Sequence, residues 1–147
     1  MYLYTLRQLK ADYDIHPRVL TLLQPTSPFR TAQDIDQAHD MLPDDGCVVS
    51  CWQSSKFYWA MGEDNDFLPV YHNPMQRVGR QWRDPAEFMY VENGAVYICA
   101  SDTLIKYKTY RVPPFEPHLM TEENSLDVDT PEDWEACVKY LPKFLEQ

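Results

Sequence analysis

Glycine is scarce in this chain. Gly46, Gly62, Gly79 and Gly94 are its four glycines and they stand far apart. A loop that wraps a phosphate chain in backbone N–H groups needs clustered glycine, and none is written here. Basic residues are few as well: 13 Lys and Arg face 23 Asp and Glu, for a net charge of −10. That balance argues against a nucleic-acid backbone or an anionic membrane as partner. It leaves room for a nucleotide, which a few local cations and a metal can hold. No apolar run approaches membrane-spanning length, and no signal-peptide pattern opens the chain. Cys47, Cys51, Cys99 and Cys137 form no C-x-x-C pair. Three of them fall in segments that read as strands or a helix face, where a buried free thiol is expected, in a reduced cytoplasmic protein. No Cys/His cluster suggests zinc, and His16, His39, His72 and His118 show no ligand spacing.

What is present is enough apolar material, 44% of 147 residues, for one domain with a core. The chain is organised around Gln24 to Arg30. The apolar run Val19 to Leu23 reads as a buried strand. Pro25 and Pro28 lack the N–H that a sheet ladder needs, so the strand stops sharply. Thr31 then offers an N-cap hydroxyl with Asp34 in the capping-box position. Strand, polar turn, helix is the geometry in which open α/β folds place ligands. The turn carries Gln24, Thr26, Ser27 and Arg30 beside a helix N-terminus. On composition alone such a proline-rich turn is more often only a turn.

Upstream, Leu3, Leu6 and Leu9 have helical spacing. Downstream, Ile35, Ala38 and Leu42 mark the inner stripe of a helix from Thr31 to Leu42, and Cys47 to Cys51 is a second short strand. Strand, helix, strand with short loops predicts a βαβ unit in a mostly parallel sheet. From Trp52 to Glu87 the pattern breaks into aromatic segments, Phe57 to Met61 and Phe67 to Tyr71, either side of an acidic turn. This predicts an antiparallel excursion. Asn73 to Pro85, with Arg77, Arg80 and Arg83, reads as a long basic loop that is solvated by default. Phe88 to Ala100 is a strand region interrupted near Gly94, and Ser101 is placed to cap a short helix. Pro113, Pro114 and Pro117 mark an edge strand. Thr130-Pro131-Glu132-Asp133 begins a last helix, with Trp134, Cys137, Val138 and Leu141 as its expected buried stripe.

Two constellations could carry chemistry. In an extended segment the carboxylates of Asp127 and Asp129 face one side, about 6 to 7 Å apart. Hard oxygen donors in so small a number suit Mg²⁺, which completes its shell with water and substrate phosphates. The alternative is that both acids merely favour the start of the helix that follows. The second is Arg80-Gln81 with Asn93-Gly94. A glycine in a strand suggests a bulge or a close backbone approach, Asn93 sets an amide beside it, and Arg80 could hold a carboxylate.

Leu23-Gln24-Pro25-Thr26-Ser27-Pro28-Phe29-Arg30-Thr31 closely resembles the LQPTSPLRT stretch of the CMP-sialic acid synthetases (acylneuraminate cytidylyltransferases). Arg80-Gln81 and Glu92 to Ile98 resemble that family's arginine-glutamine segment and ENGAIYI strand. Ser125 to Asp133 is similar to its SIDIDTxED ending. The likeness runs in order over nearly the whole chain. It implies a partial Rossmann-like nucleotidyltransferase sheet and an Mg²⁺-dependent joining of CTP to a nine-carbon acidic sugar, with release of pyrophosphate. Asp127 and Asp129 would hold the metal as the catalytic pair, Gln24 would contact the sugar, and Arg80 would face its carboxylate. Thr26, Ser27, Arg30, Gln81, Asn93 and Gly94 would complete the substrate site. Lys56 falls near a substrate-binding basic residue of the family, in a loosely matching stretch. The family pattern further implies a homodimer, with residues 52–87 reaching toward the partner. The glycine- and lysine-rich loop with which the family begins has no counterpart in these residues. Three readings follow: a single cytidylyltransferase-like domain over residues 1–147 without its phosphate-loop portion, a catalytically incomplete module that binds sugar or assembles with another chain, or a sugar-nucleotide transferase of another base, which the two aspartates do not distinguish.

Overall fold

The computed structural model describes residues 2–146, with Arg80 described by its backbone alone. The elements, in chain order, are α1 (Tyr2–Tyr13), β1 (Val19–Leu22), α2 (Ala32–Asp40), β2 (Cys47–Ser54), β3 (Tyr58–Met61), β4 (Phe67–Val70), β5 (Met89–Ala100), α3 (Ser101–Tyr107), β6 (Phe115–Met120) and α4 (Pro131–Phe144). Three single 3₁₀ turns, Pro74–Gln76, Arg80–Trp82 and Pro85–Glu87, lie between β4 and β5. The residues separate into two compact units: one runs to Trp52 and resumes at Glu92, and the other is Gln53–Val91.

The first unit is built on a four-stranded sheet ordered β1-β5-β2-β6. β1 is antiparallel to β5, with Val19 opposite Ala100 and Leu22 opposite Tyr97. β2 is parallel to β6, from Cys47 opposite Phe115 to Trp52 opposite Met120. The molecule is α/β, but the expectation of a mostly parallel sheet fails: the sheet is mostly antiparallel with one parallel pair. The reason is long-range. β1 and β2 are joined through α2 as the βαβ pattern requires, yet they are not neighbours. β5, returning from far along the chain, inserts between them and takes up the edge that each would have offered the other. β6 forms the far edge, where Pro117 can be tolerated.

Both faces of the sheet are covered. Ala38, Ile35 and Leu42, from α2 and its end, pack with Val48, Val96, Ile98 and Met120 on one face. Leu6 of α1 and Leu104 of α3 pack with Cys47, Cys99 and Val112 on the other. Successive strand residues point to opposite faces, which is why Val19 joins the first cluster and Leu20 the second. Thr31 and Asp34 form a complete capping box at α2, and Thr130 and Asp133 form another at α4, with Pro131 in its first turn. Ser101 does not cap α3: it is already inside the helix, Ala100 holds the cap position without a side-chain bond, and the Ser101 hydroxyl is buried without a partner among the described residues.

α4 is turned away from its expected orientation. Cys137 is buried, but Trp134, Val138 and Leu141 are 62, 51 and 45% exposed. What fixes the rotation is Phe29, 2% exposed, whose ring meets those of Tyr140 and Phe144 edge-on with centroids 4.9 and 5.1 Å away. The aromatic residue of the Gln24–Arg30 turn thus chooses the helix face.

The second unit contains the predicted hairpin. β3 and β4 pair antiparallel, with Tyr58 opposite Val70 and Met61 opposite Phe67. Trp59 and Phe67 stack with ring centroids 4.8 Å apart and planes within 6°. Arg83, expected in solvent, has a side chain only 3% exposed.

Candidate functional site

At the carboxyl end of β1 the chain turns through Gln24 to Arg30, and two distant segments are fastened to it. The Val128 N–H donates to the Thr26 carbonyl at 2.9 Å, tying the Asp127–Asp129 segment to the turn. The Ser27 hydroxyl lies 3.2 Å from the Asn93 carbonyl and 3.4 Å from Asp127 Oδ1. One Arg30 nitrogen, Nη1, donates to the Gln24 carbonyl at 3.1 Å and to the Ala95 carbonyl at 2.7 Å. Residues about 65 to 100 positions apart in sequence therefore share one polar cluster.

Asn93 is its hub. It is 5% exposed and every part of its amide is used. Oδ1 accepts from the Ser50 hydroxyl at 2.6 Å and from the Ala95 N–H at 3.1 Å, while Nδ2 donates to Ser125 Oγ at 2.8 Å and lies 3.3 Å from the Met120 sulfur. Ser50 and Ser125, which sequence reasoning passed over, are what hold the hub. Ser50 had a signal, since it is the one hydroxyl in the run Cys47 to Cys51. Ser125 had none.

Gly94 has φ +72°, in the region that favours glycine. A Cβ there would lie 2.1 Å from Gln24 Oε1. The close approach foreseen at Gly94 is thus made by the protein's own glutamine, whose amide is seated against bare backbone.

The expected site residues differ in what they have left to offer. Ser27 (1% exposed), Asn93 and the Nη1 of Arg30 are engaged with the protein itself. Burial lowers the Arg30 pKa from its ordinary value, with Asp34 pulling the other way. Gln24 and Thr26 are half-buried, Asp127 is half-buried, and Asp129 is exposed. Among the described residues no ion pair engages either aspartate, and the Asp129 carboxylate has no hydrogen bond. No group of three or more His, Cys, Asp or Glu residues converges as a metal cage among the described residues. Two hard, unpaired carboxylates are nonetheless the protein share that an Mg²⁺ completed by substrate phosphates requires, so the donor set fits that ion. The other expected residues belong to the second unit. Gln81 is exposed and its amide folds back on Gly79, 2.9 Å from where a Cβ would stand. The Arg80 side chain, expected to face a carboxylate, lies outside the described residues.

Sequence reasoning also missed a buried pair. His118, 4% exposed at its side chain, bonds Asp34 at 3.1 Å through Nε2. Burial pulls the Asp34 pKa up, but the Thr31 hydroxyl, the Thr31 N–H and His118 outweigh it and hold the carboxyl below its ordinary range. All four cysteines are free and buried. Burial, with Glu92 nearby, pushes the Cys51 thiol up to about 11, and burial with a hydrogen bond to Cys47 pushes Cys99 up to about 12. Neither is a ready thiolate nucleophile.

What the fold and this cluster define is a mixed α/β protein with an oxygen-rich polar centre at a strand's carboxyl end, flanked by two unpaired acids. No family model matches the chain. Over 142 residues, 95% of this chain, it is 30% identical to CMP-N,N'-diacetyllegionaminic acid synthase of Legionella pneumophila subsp. pneumophila, of which the match covers 59%. The chain is therefore related in sequence to a CMP-sugar synthase, and it spans less than two thirds of that protein's length. No helix among the described residues is long and apolar enough to cross a membrane.

Proposed function

We propose that this chain carries the sugar- and metal-binding part of a cytidylyltransferase that joins CMP from CTP to a nine-carbon acidic sugar and releases pyrophosphate. The observation that carries the reading is the Ser27 hydroxyl within bonding distance of both Asn93 and Asp127, which unites three separately recognised motifs at one strand end. The relative's name points to the same chemistry. In this reading the strands form part of a Rossmann-like nucleotidyltransferase sheet with β5 as its reversed member.

Each side chain then has a physical task. Ser27 fixes the rotamer of Asp127. Asp127 and Asp129 are the groups that would hold Mg²⁺, which when bound neutralises charge at the α-phosphate and on the departing pyrophosphate. Gln24, braced by Gly94, presents an amide to the sugar hydroxyls, and the anomeric hydroxyl attacks the α-phosphate in line. Thr26 adds a polar contact. Residues 52–87 supply a homodimer surface: Phe67, Tyr71, Met75 and Trp82 are large, exposed and in one unit. A reduced cytoplasmic setting accords with four free thiols.

A second reading is favoured by the four dispersed glycines. With no triphosphate-cradling loop among these residues, several charge-assisted hydrogen bonds at roughly 1.5–3 kcal/mol each are missing, and the chain by itself binds acidic sugar or assembles with a separate piece without turning over. Calorimetric titration with N-acetylneuraminate and with CTP and Mg²⁺ divides the two. Sugar binding alone supports the second reading; CMP-sugar formation by the purified chain supports the first. Asp127→Asn weakens Mg²⁺ binding at least about tenfold. An unchanged Mg²⁺ affinity in that variant, together with no sugar binding to the parent chain, overturns both.

A further inference from the structure

The two edges of the four-stranded sheet are finished differently. β6, the far edge, carries Glu116, Pro117 and His118, a charge and a missing N–H of the kind that keeps an edge single. β1, the near edge, is Val-Leu-Thr-Leu, with no charge and no proline. β5 takes one side of it, and no strand takes the other among the described residues. All four residues of β1 are only half-buried, although both of its faces are covered. Val19 packs in the cluster that α2 covers, Thr21 Oγ1 lies 2.8 Å from His39 Nε2 of α2, and Leu20 packs in the cluster of α1 and α3. Apolar residues on both faces are the pattern of an interior strand.

The outer side of β1 has a definite order of donors and acceptors. The Ser101 N–H donates to the Arg18 carbonyl at 3.0 Å, and Val19 lies opposite Ala100. Backbone groups of an antiparallel ladder face the partner strand at every second residue, so those of Arg18, Leu20 and Leu22 are turned to β5. Those of Val19, Thr21 and Leu23 are turned outward, where the sheet gives them no partner. Pro17 and Pro25, which have no N–H, stand at equal distances on either side of Thr21. The proline-free stretch is therefore symmetrical about Thr21.

We infer that β1 pairs antiparallel with β1 of a second copy of this chain, about a two-fold axis through Thr21 and normal to the sheet, so that two sheets join into one. Residues opposite one another in a ladder lie on the same face, so the axis must pass through a residue and not between two. An axis on Leu20 sets Leu23 against Pro17, and an axis on Leu22 sets Val19 against Pro25. Each of these forfeits N–H groups. An axis on Thr21 forfeits none: Thr21 meets its own counterpart, Val19 meets Leu23, and Leu20 meets Leu22. Thr–Thr and aliphatic pairs are favourable opposites. Arg18 falls opposite the neutral Gln24, and the prolines close the ladder at both ends. The α2 helices of both copies then cover one face of the joined sheet. Any extended strand could answer the outward groups; the symmetrical spacing of the prolines is what selects a second copy. So short an edge makes a small, reversible interface.

The pairing rests neither on the proposed nucleotidyl transfer nor on the exposed aromatic surface of the second unit. The test is amide hydrogen exchange of the full chain by NMR, in a concentrated sample and after about a hundredfold dilution, with sedimentation beside it. The Val19, Thr21 and Leu23 amides are expected to exchange at least about tenfold more slowly in the concentrated sample, while Leu20 and Leu22, already bonded to β5, change less. In a mixture of labelled and unlabelled copies, a contact between Leu20 Hα of one copy and Leu22 Hα of the other fixes the axis. Leu23→Pro removes an outward N–H and spares the bonds to β5; with circular dichroism unchanged, it should weaken association at least about tenfold. Met75→Asp combined with Trp82→Asp, in the second unit, should leave the β1 amide rates as they are. A chain that stays monomeric when concentrated overturns the pairing, whatever its binding of sugar or CTP. So do outward amides whose rates ignore dilution, association that Leu23→Pro leaves intact, or β1 rates that follow the second-unit substitutions.

Discussion

The two polar centres of this chain are built on opposite terms. Around Asn93 every buried donor and acceptor of the amide has a partner, and the partners are neutral hydroxyls, an N–H and a thioether. Around Arg83 the buried group is a full charge, one of its nitrogens has no hydrogen bond, and its counter-ion is half in water. A closed neutral network rigidifies what surrounds it. A charge left partly unanswered keeps a desolvation cost that its neighbours offset only in part. The first centre is a clasp that fixes three motifs in space, and the second is open.

The comparison breaks most readily at Asn93. Asn93→Ala leaves the Ser50 and Ser125 hydroxyls and the Ala95 N–H short of partners in a buried place, and should lower stability in urea unfolding by about 2–4 kcal/mol. Arg77→Gln, the matching deletion in the second unit, should move it by no more than about 0.5 kcal/mol, because Arg77 holds nothing in place. Equal losses in the two variants would erase the distinction between clasp and open centre.

Gly94→Ala comes next. The backbone there sits at φ +72°, and an alanine costs about 1–2 kcal/mol in that region. Its Cβ must also evict the Gln24 amide, a flexible end that can swing away. The variant should therefore stay folded while its acidic-sugar affinity drops, a split that separates bracing from packing. Sugar affinity that survives alongside the stability loss would remove Gln24 from the site.

Among the variants of the first unit the smallest expected effect is Asp34→Asn, about 0.5–2 kcal/mol at pH 7 from the loss of a charged cap partner to Thr31 and His118. The Asp34 carboxyl is held below its ordinary range, so its ionised form favours the fold. That contribution is in full force above about pH 4, near the unfolded value, and disappears as the pH falls through the lower folded value. The gap between variant and parent should accordingly close on going from neutral pH into acid below about pH 4. Unfolding midpoints that differ equally at both ends would place the Asp34 contribution outside its charge.

Much of the first unit could be read in one dimension. Val19 to Leu22 is a strand because apolar residues run up to two prolines. Both helix starts are readable because Thr31 with Asp34, and Thr130 with Asp133, close bonds across only three residues. The β3–β4 hairpin follows from two aromatic runs and the turn between them. Other features resisted. Nothing near Met89 to Ala100 says that this strand will slide between β1 and β2. Nothing in α4 says that Phe29, a hundred residues earlier, will claim Tyr140 and Phe144 and leave Trp134 in solvent. Arg83 reads like its neighbours, and only the carbonyls of Ser55 and Glu87 draw it inside.

The amino-acid order by itself determined the local pieces: where strands stop, where helices begin, which turn carries amides and hydroxyls, and which two acids stand one residue apart. Those outcomes depend on bonds and steric limits spanning a few residues, and so they are written locally. Only the folded molecule decided that Ser27, Asn93 and Asp127 meet, that the sheet is mostly antiparallel, and that one arginine of the 77–83 segment is buried against an aromatic ring. Each of these depends on which distant surfaces cover one another, and that is settled by the burial and pairing of the whole chain at once.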